Sequence, residues 1–288
     1  MTTVKIRIQP TIGLIAVVAL WSLVAVAGAR AYVLQGPHVL ELMIDHLGKA
    51  QRLLVEQRQV IHGVGESEQN VEVAETLRYQ FPGGFRSDIT SGDLKRIHVE
   101  AQGRRLTAMD GRVTMGDDRL ADVYKDLMLF RSRSVLVHRL ATLGVAVRVS
   151  SYGLLEDQVA YVVGAQYPDE SVPQVWVDKE TFRPLRWIVR PAEVPGQPPR
   201  LEIRYGRWAR HGKLWYPQQI DMLESGNLSR SIQAVSVTVN PTFAPQTFDI
   251  AHLQNTLRSE PADDAQGEPP DRLKEVRETI EEFKKLYE

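Results

Sequence analysis

Much of this chain alternates apolar and polar positions with the two-residue period of a β-strand. The pattern is clearest between residues 53 and 115, where one face carries Val71, Val73, Leu77, Tyr79 and Phe81. The residues between them are mostly polar, which predicts strands with one buried face and one wet face. The turn signals Pro82-Gly83-Gly84 and Asp110-Gly111 interrupt the pattern. Strands that follow one another at this spacing predict an antiparallel meander.

The same pattern returns in the second half of the chain. Strands are predicted at residues 145–149, 158–167, 172–178 and 185–190, and from 201 to a last strand with Val235, Val237 and Val239 on one face. In residues 185–190, an apolar face with Trp187 opposes a mostly cationic one. Turns are predicted at Asp178-Lys179-Glu180-Thr181, His211-Gly212-Lys213 and Gly226-Asn227, and the proline-rich residues 191–199 are predicted to form a loop. About ten strands are more than a flat sheet usually carries without curling.

Two regions have the three- and four-residue spacing of helices instead. The first follows Pro37 and places Leu40, Met43, Leu47, Ala50 and Leu54 on one face. The second, residues 120–143, carries Val123, Leu127 and Phe130 and then Val135, Leu136, Leu140 and Leu143, ending at Gly144. Helices inserted in the middle of a large antiparallel sheet can cover its concave apolar side.

The first 31 residues predict an export signal. Lys5 and Arg7 precede residues 8–29, which carry no charge, and Ala29-Arg30-Ala31 has the small-x-small pattern of a signal-peptidase site. An uncleaved anchor is the alternative, because the apolar stretch approaches the roughly 20 residues that span a bilayer. Either interpretation places the rest of the chain outside the cytoplasm. We expect residues 32–257 to form one domain.

The end of the chain predicts a linker and a further helix. Residues 258–270 are acidic and rich in proline, which indicates a flexible linker. Residues 271–288 predict an amphipathic helix, with a heptad seam of Leu273, Val276, Ile280, Phe283 and Tyr287. Such a helix either binds another chain or docks on its own domain.

Charge and composition give no sign of catalysis. Lysine plus arginine total 35 against 36 for aspartate plus glutamate, so no polyanion partner such as nucleic acid is expected. There is no cysteine, the seven histidines form no i, i+4 pair, and no nucleophile elbow or phosphate loop occurs. Asp117, Asp118 and Asp122 could bind a cation weakly or simply occupy a helix N-terminus. We therefore expect no enzyme activity, cofactor or metal.

Several short segments occur in an order that is similar to a known family. They are Phe81-Pro82-Gly83-Gly84-Phe85, Asp110-Gly111, Asp178-Lys179-Glu180-Thr181, Val239-Asn240-Pro241 and Thr247-Phe248-Asp249. With the surrounding residues 79–88, 175–185 and 235–240, they resemble the outer-membrane lipoprotein carrier (LolA-like) superfamily over about residues 37–253. The chain departs from the dedicated carrier in having Phe81 where that protein has an arginine, and in lacking an aromatic stretch after Asp110-Gly111.

The resemblance implies an α+β, mainly antiparallel β fold: a curled, unclosed β-barrel with helices over its concave face, plus the C-terminal helix. It implies a periplasmic protein that shields acyl chains of a lipid or acylated protein. An envelope-stress sensor of the RseB/MucB type, with an inner-membrane partner, is the alternative. The candidate lipid-binding residues are Leu77, Tyr79, Phe81, Phe85, Leu127, Met128, Phe130 and Trp187. Ordinary core packing is the alternative for each, because periodicity does not separate a filled core from an empty one.

Overall fold

The computed structural model describes residues 33–64, 69–92, 94–114, 120–190 and 200–259. The strands are β1 (Arg52–Val64), β2 (Gln69–Gln80), β3 (Gly84–Ser91), β4 (Leu94–Ala101), β5 (Arg104–Met109), β6 (Arg112–Thr114), β7 (Ser150–Leu155), β8 (Gln158–Val163), β9 (Gln174–Asp178), β10 (Pro184–Val189), β11 (Leu201–His211), β12 (Leu214–Glu224) and β13 (Asn227–Val239). The helices are α1 (Gly36–His46), α2 (Asp126–Leu129), α3 (Arg133–Thr142) and α4 (Ile250–Ser259). Two 3-10 helices span Leu120–Lys125 and Pro245–Phe248.

All of these strands form one antiparallel sheet. Their order is β6-β5-β4-β3-β2-β1-β13-β12-β11-β10-β9-β8-β7, so two meanders are joined where β1 pairs with β13. The edge strands β6 and β7 do not pair with each other, and the curled sheet therefore stays open. The predicted α+β half-barrel is confirmed, with thirteen strands in the described residues where the pattern predicted about ten.

The first helix is shorter than its apolar spacing predicts. α1 ends at His46, and Gly48 follows with φ +83°. A Cβ on Gly48 would lie 1.8 Å from the carbonyl oxygen of Lys213, so the chain passes too close to the turn before β12 for any larger residue. The expectation that Ala50 and Leu54 continue the helix is wrong, because Leu54 already belongs to β1.

The concave face of the first meander has three bands. Apolar residues fill one end, where Ile61, Val73, Ile89, Leu94 and Met109 pack together. Leu53, Val55, Leu77, Tyr79 and Phe85 fill the other end and are at most 1% exposed. Between them lies a band of buried polar side chains that the alternation did not predict: Gln57, Gln59, Glu75, Ser87, Arg96, His98, Glu100 and Thr107.

The segment from Leu120 to Thr142 covers this face, as the sequence predicted. Its 3-10 helix contacts the polar band through Tyr124 and Lys125, and α3 packs beside α1. The predicted strand at residues 145–149 is wrong. These residues form turns after α3, and the strand begins at Ser150.

Both faces of β10, in the second meander, are buried. Trp187 and Val189 are buried on one face, as expected. The opposite face is not simply a solvated cationic surface, because Arg186 is buried and pairs with Glu170 and Glu202 at 2.7 Å each. Burying this guanidinium is tolerated because carboxylates pair with it.

The C-terminal helix of the described residues is α4. Its Ile250 packs with Val99 and Leu106, and Leu253 and Leu257 extend the contact, so α4 lies on the outer face of β4 and β5. The linker predicted at residues 258–270 does not begin at Arg258, because Arg258 and Ser259 still belong to α4, and its remaining residues 260–270 lie outside the described residues. Residues 1–31, 191–199 and 271–288, for which a signal, a loop and a helix were predicted, also lie outside them. Within the described ranges, no helix combines the length and the apolar content needed to cross a bilayer.

Candidate ligand-binding site

A cavity of about 850 Å³ opens at one end of the half-barrel. It lies where the β2–β3 and β4–β5 turns meet the start of α3 and the 3-10 helix Pro245–Phe248. Its apolar lining includes Phe81, Phe130, Val135, Phe248 and Ile250, and its polar lining includes Glu100, Arg104, Arg105 and Asp249. The volume lies within the roughly 300–1,000 Å³ range of small-molecule sites in proteins.

Two of the eight candidate lipid-binding residues line this cavity. Phe81 and Phe130 are half-buried there, one from the β2–β3 turn and one from the helical insert. The other six are at most 1% exposed: Leu77, Tyr79, Phe85, Leu127, Met128 and Trp187. Those six would contact a ligand only if the elements packed on them moved, and their role in binding stays a prediction.

The middle of the concave face is filled by hydrogen bonds around Glu75. Its carboxylate accepts hydrogen bonds from the side-chain amides of Gln57 and Gln59, from the hydroxyl of Ser87 at 2.5 Å and from that of Tyr124 at 3.1 Å. Burial raises the pKa of Glu75 above its ordinary value, although its hydrogen bonds oppose that shift. The hydrogen bond from Tyr124 to Glu75 therefore attaches the insert to β2.

Ion pairs hold the rest of the insert. Arg96 on β4 makes a bidentate contact with Asp122, and both side chains are buried. The ammonium of Lys125 lies 3.3 Å from Glu100 and 3.2 Å from Asp126. The carboxylate of Asp126 also lies 2.6 Å from Nε of Arg139 on α3. Three elements of the insert are thus tied together and to the sheet.

The ion pairs leave two carboxylates with depressed pKa values. Burial alone would raise the pKa of Glu100, but Lys125, His98 and Arg105 outweigh that effect and lower it to about 2. Burial likewise opposes ionisation of Asp122, and Arg96 nevertheless holds its pKa well below the ordinary value. Both groups therefore stay ionised in the folded protein at neutral pH.

Sequence reasoning missed this polar band, and Asp122 was interpreted differently. Asp122 was expected to occupy a helix N-terminus or bind a cation weakly; it lies in the first turn of the 3-10 helix Leu120–Lys125, and it also pairs with Arg96, which was not predicted. Its companions Asp117 and Asp118 lie outside the described residues, in which no cluster of three or more metal-binding side chains occurs. The missed signal was Glu75, a charged residue at an inward-facing position of an otherwise apolar row.

Glu75 gives the first testable prediction. Replacement of Glu75 by glutamine keeps an acceptor for Tyr124 and a donor for Ser87, while removing a charge that is costly to bury. Because the pKa of Glu75 is raised in the folded state, its contribution to stability is full at low pH and falls as the pH rises through that pKa. We therefore expect Glu75→Gln to become more stable relative to wild type as the pH rises from 5 to 8. Urea unfolding of both proteins at the two pH values measures the difference in their free energies of unfolding, and a difference that does not change with pH would contradict the prediction.

A second group of buried polar atoms lies close to the cavity. The guanidinium of Arg131, the residue after Phe130, stacks over the ring of Phe81 with its centre 5.1 Å from the ring centroid. Phe81 in turn stacks on Tyr79 at 5.8 Å, and the phenol of Tyr79 faces that of Tyr216 on β12. Burial lowers the pKa of Arg131 to about 10.

Comparison with solved structures supports the fold. A domain from Vibrio parahaemolyticus assigned as an outer membrane lipoprotein-sorting protein matches with a TM-score of 0.50 and 9% identity, over 76% of this chain and 97% of that one. A LolA superfamily protein from Nitrosomonas europaea matches with a TM-score of 0.41 and 14% identity, over 75% and 98%. MucB of Pseudomonas aeruginosa, in complex with MucA, matches with a TM-score of 0.25 and 13% identity, over 74% and 60%.

The comparisons define the class of fold and no more. The match to the lipoprotein-sorting domain confirms the predicted LolA-like fold. No family model matches the sequence, and no curated protein matches it. The identities are too low to carry over a ligand or a partner.

Proposed function

We propose that this chain is a non-enzymatic binding protein of the bacterial periplasm, which takes an acyl chain of a lipid or acylated protein into the cavity between Phe81 and Phe130. The observation that carries the proposal is this cavity of about 850 Å³, at an end of the concave face where two predicted lipid-binding aromatics, Phe81 and Phe130, are half-buried. The LolA-like fold and the predicted export segment at residues 1–31 support the location.

The cavity offers enough free energy to hold such a ligand. Each methylene removed from water contributes about 0.8 kcal/mol, so a chain buried over roughly 8 methylenes gains about 6 kcal/mol. The polar band around Glu75 and Asp122 already fills the middle of the concave face. An acyl chain placed there would separate buried ion pairs, which is costly because it leaves buried charges uncompensated. The open end is therefore the favoured place for it, and the polar rim leaves a head group in contact with water.

A neutral acyl ligand tests this proposal. Monopalmitoyl glycerol, used below its micellar concentration, should bind the mature chain with a fixed stoichiometry in native mass spectrometry and titration calorimetry. Phe130→Asp places a carboxylate in the apolar lining. We expect the affinity to fall at least about 10-fold, since a loss of about 1.4 kcal/mol of binding free energy has that effect. Phe81→Ser should act in the same direction.

Leu154→Asp is the matched control. Leu154 is 53% exposed on β7 and does not line the cavity, so the same change of chemistry there should leave binding unaltered. Unaltered binding in Phe130→Asp and Phe81→Ser would show that the ligand site lies elsewhere, and no binding by the wild type would reject the proposal. A membrane-protein partner, the alternative predicted from the sequence, would then be the next candidate.

A further inference from the structure

We infer that Arg131, with the hydroxyl groups of Tyr79 and Tyr216, forms a binding site for an oxyanion, a phosphate or a carboxylate group. On the proposed function, on which this assignment of the ligand rests, the oxyanion is the head group of the acyl ligand. The preferred ligand would then be an acidic amphiphile, bound more tightly than a neutral one with the same acyl chain.

The first observation is an uncompensated buried cation. None of the three guanidinium nitrogens of Arg131 is exposed, and none has a hydrogen-bond partner among the described residues. No carboxylate contributes to its electrostatic environment there, in which the neighbouring titratable groups are the phenols of Tyr79 and Tyr216. Buried charges in proteins are normally paired, because an unpaired one is costly to desolvate. An anion from outside the described residues would remove that cost.

The contrast with the other buried arginines strengthens this point. Arg96 pairs with Asp122, and Arg186 pairs with Glu170 and Glu202. The fold therefore provides carboxylates where a buried guanidinium has a structural role. At Arg131 it provides instead an aromatic ring, Phe81, which holds the plane of the guanidinium without using its donors.

The second observation is a pair of donors beside the guanidinium. The hydroxyls of Tyr79 and Tyr216 are buried and face each other, and neither has a further hydrogen-bond partner among the described residues. A phenol can donate to an oxyanion, and a guanidinium presents its donors in a planar fork that matches phosphate or carboxylate. The five guanidinium hydrogens, and the hydroxyl hydrogen of whichever tyrosine accepts from the other, thus have no acceptor among the described residues.

The position of this group relative to the cavity completes the argument. Arg131 directly follows Phe130 and stacks on Phe81, and both of these aromatics line the cavity. Arg131 and the two tyrosines lie behind this lining, so the head group of a ligand would reach the guanidinium past the rings of Phe81 and Phe130. The same two aromatics would then serve both halves of the ligand.

A pair of ligands that differ only in the phosphate tests the inference. We compare 1-palmitoyl lysophosphatidic acid with monopalmitoyl glycerol, both below their micellar concentrations, and inorganic phosphate alone. Wild type should prefer the phosphorylated ligand, and Arg131→Met should lose about 10- to 100-fold in affinity for it while binding the neutral ligand unchanged. Because Arg131→Met removes an unpaired buried charge, its Tm should equal or exceed that of wild type.

Arg133→Met is the matched control. Arg133 lies two residues away, is about half-exposed and pairs with Glu41, so its loss should not change the preference for the phosphorylated ligand. Tyr216→Phe removes a single hydroxyl and should lower the affinity for the phosphorylated ligand while leaving the affinity for the neutral ligand unchanged. If Arg131→Met does not fold, this variant decides the question.

The possible results separate this inference from the proposed function. Equal binding of the two lipids by wild type, or an unchanged preference in Arg131→Met or Tyr216→Phe, overturns the oxyanion site and leaves acyl binding intact. Stabilisation by inorganic phosphate in wild type but not in Arg131→Met, with no lipid bound, supports the oxyanion site and rejects the acyl ligand. No response to any of the three ligands rejects both.

Discussion

Replacement of Asp122 by asparagine is expected to destabilise the protein by about 3–5 kcal/mol, because it removes the charge of the buried carboxylate with which the buried guanidinium of Arg96 pairs. Arg96 is 0% exposed and Asp122 is 6% exposed, so water cannot take the place of the lost carboxylate. The pair also fixes the 3-10 helix of the insert to β4, and its loss should loosen the insert. Urea unfolding at pH 7 measures the effect.

Two further variants show whether the charge is the cause. The double replacement Arg96→Met with Asp122→Leu removes both charges together and should cost much less than Asp122→Asn, since apolar residues of similar size often replace a buried pair with little loss. Asp88→Asn is the control for position: Asp88 pairs with Arg78 and Arg86 but is partly exposed, and about 0–1 kcal/mol is expected. Equal losses for Asp122→Asn and Asp88→Asn would contradict the argument.

Protonation of Glu100 in acid is expected to lower the free energy of unfolding by an amount comparable to the effect of Asp122→Asn. Its pKa falls from about 4.5 in the unfolded chain to about 2 in the folded protein, a difference that corresponds to roughly 3 kcal/mol. Because the folded pKa is the lower one, this stability is fully present above the unfolded value and is lost as the pH falls from about 5 to about 2. Asp122 acts in the same direction.

Glu100→Gln isolates this contribution. The variant should be less stable than wild type at pH 7, and the difference should shrink towards zero near pH 2, where wild type has also lost the charge. Glu180→Gln, in the exposed turn after β9, should follow the wild-type curve at every pH. Chemical unfolding followed by circular dichroism across this range gives the comparison, and a Glu100→Gln deficit that persists at pH 2 would mean that packing, not charge, is the cause.

These ion pairs bear directly on function. They hold the insert over the polar band, so the concave face is closed in its middle and open at the end lined by Phe81 and Phe130. Weakening Arg96–Asp122 would therefore affect more than stability, since it loosens the insert, whose Phe130 and Val135 line the cavity.

The sequence by itself determined the architecture of this protein. Alternating apolar positions, the Asp110-Gly111 and His211-Gly212-Lys213 turns, and the helical spacing within residues 120–143 predicted the antiparallel sheet and its covering helices. These signals are local: a strand with one buried face or a tight turn restricts residues close together in the chain, so each can be recognised without knowing what packs against it. The order of the motifs predicted the LolA-like fold.

Only the tertiary structure decided where the interior is filled and where it is open. Phe85 and Phe81 have the same apolar character in the sequence, yet one is buried in the core and the other borders the cavity. The partners of Glu75 come from β1, β3 and the insert, and Arg96 meets Asp122 from 26 positions away. Whether a charge is paired or a cavity is left empty depends on side chains that converge from distant parts of the chain, and periodicity carries no information about that convergence. For the same reason, the unpartnered guanidinium of Arg131 became visible only in the folded protein.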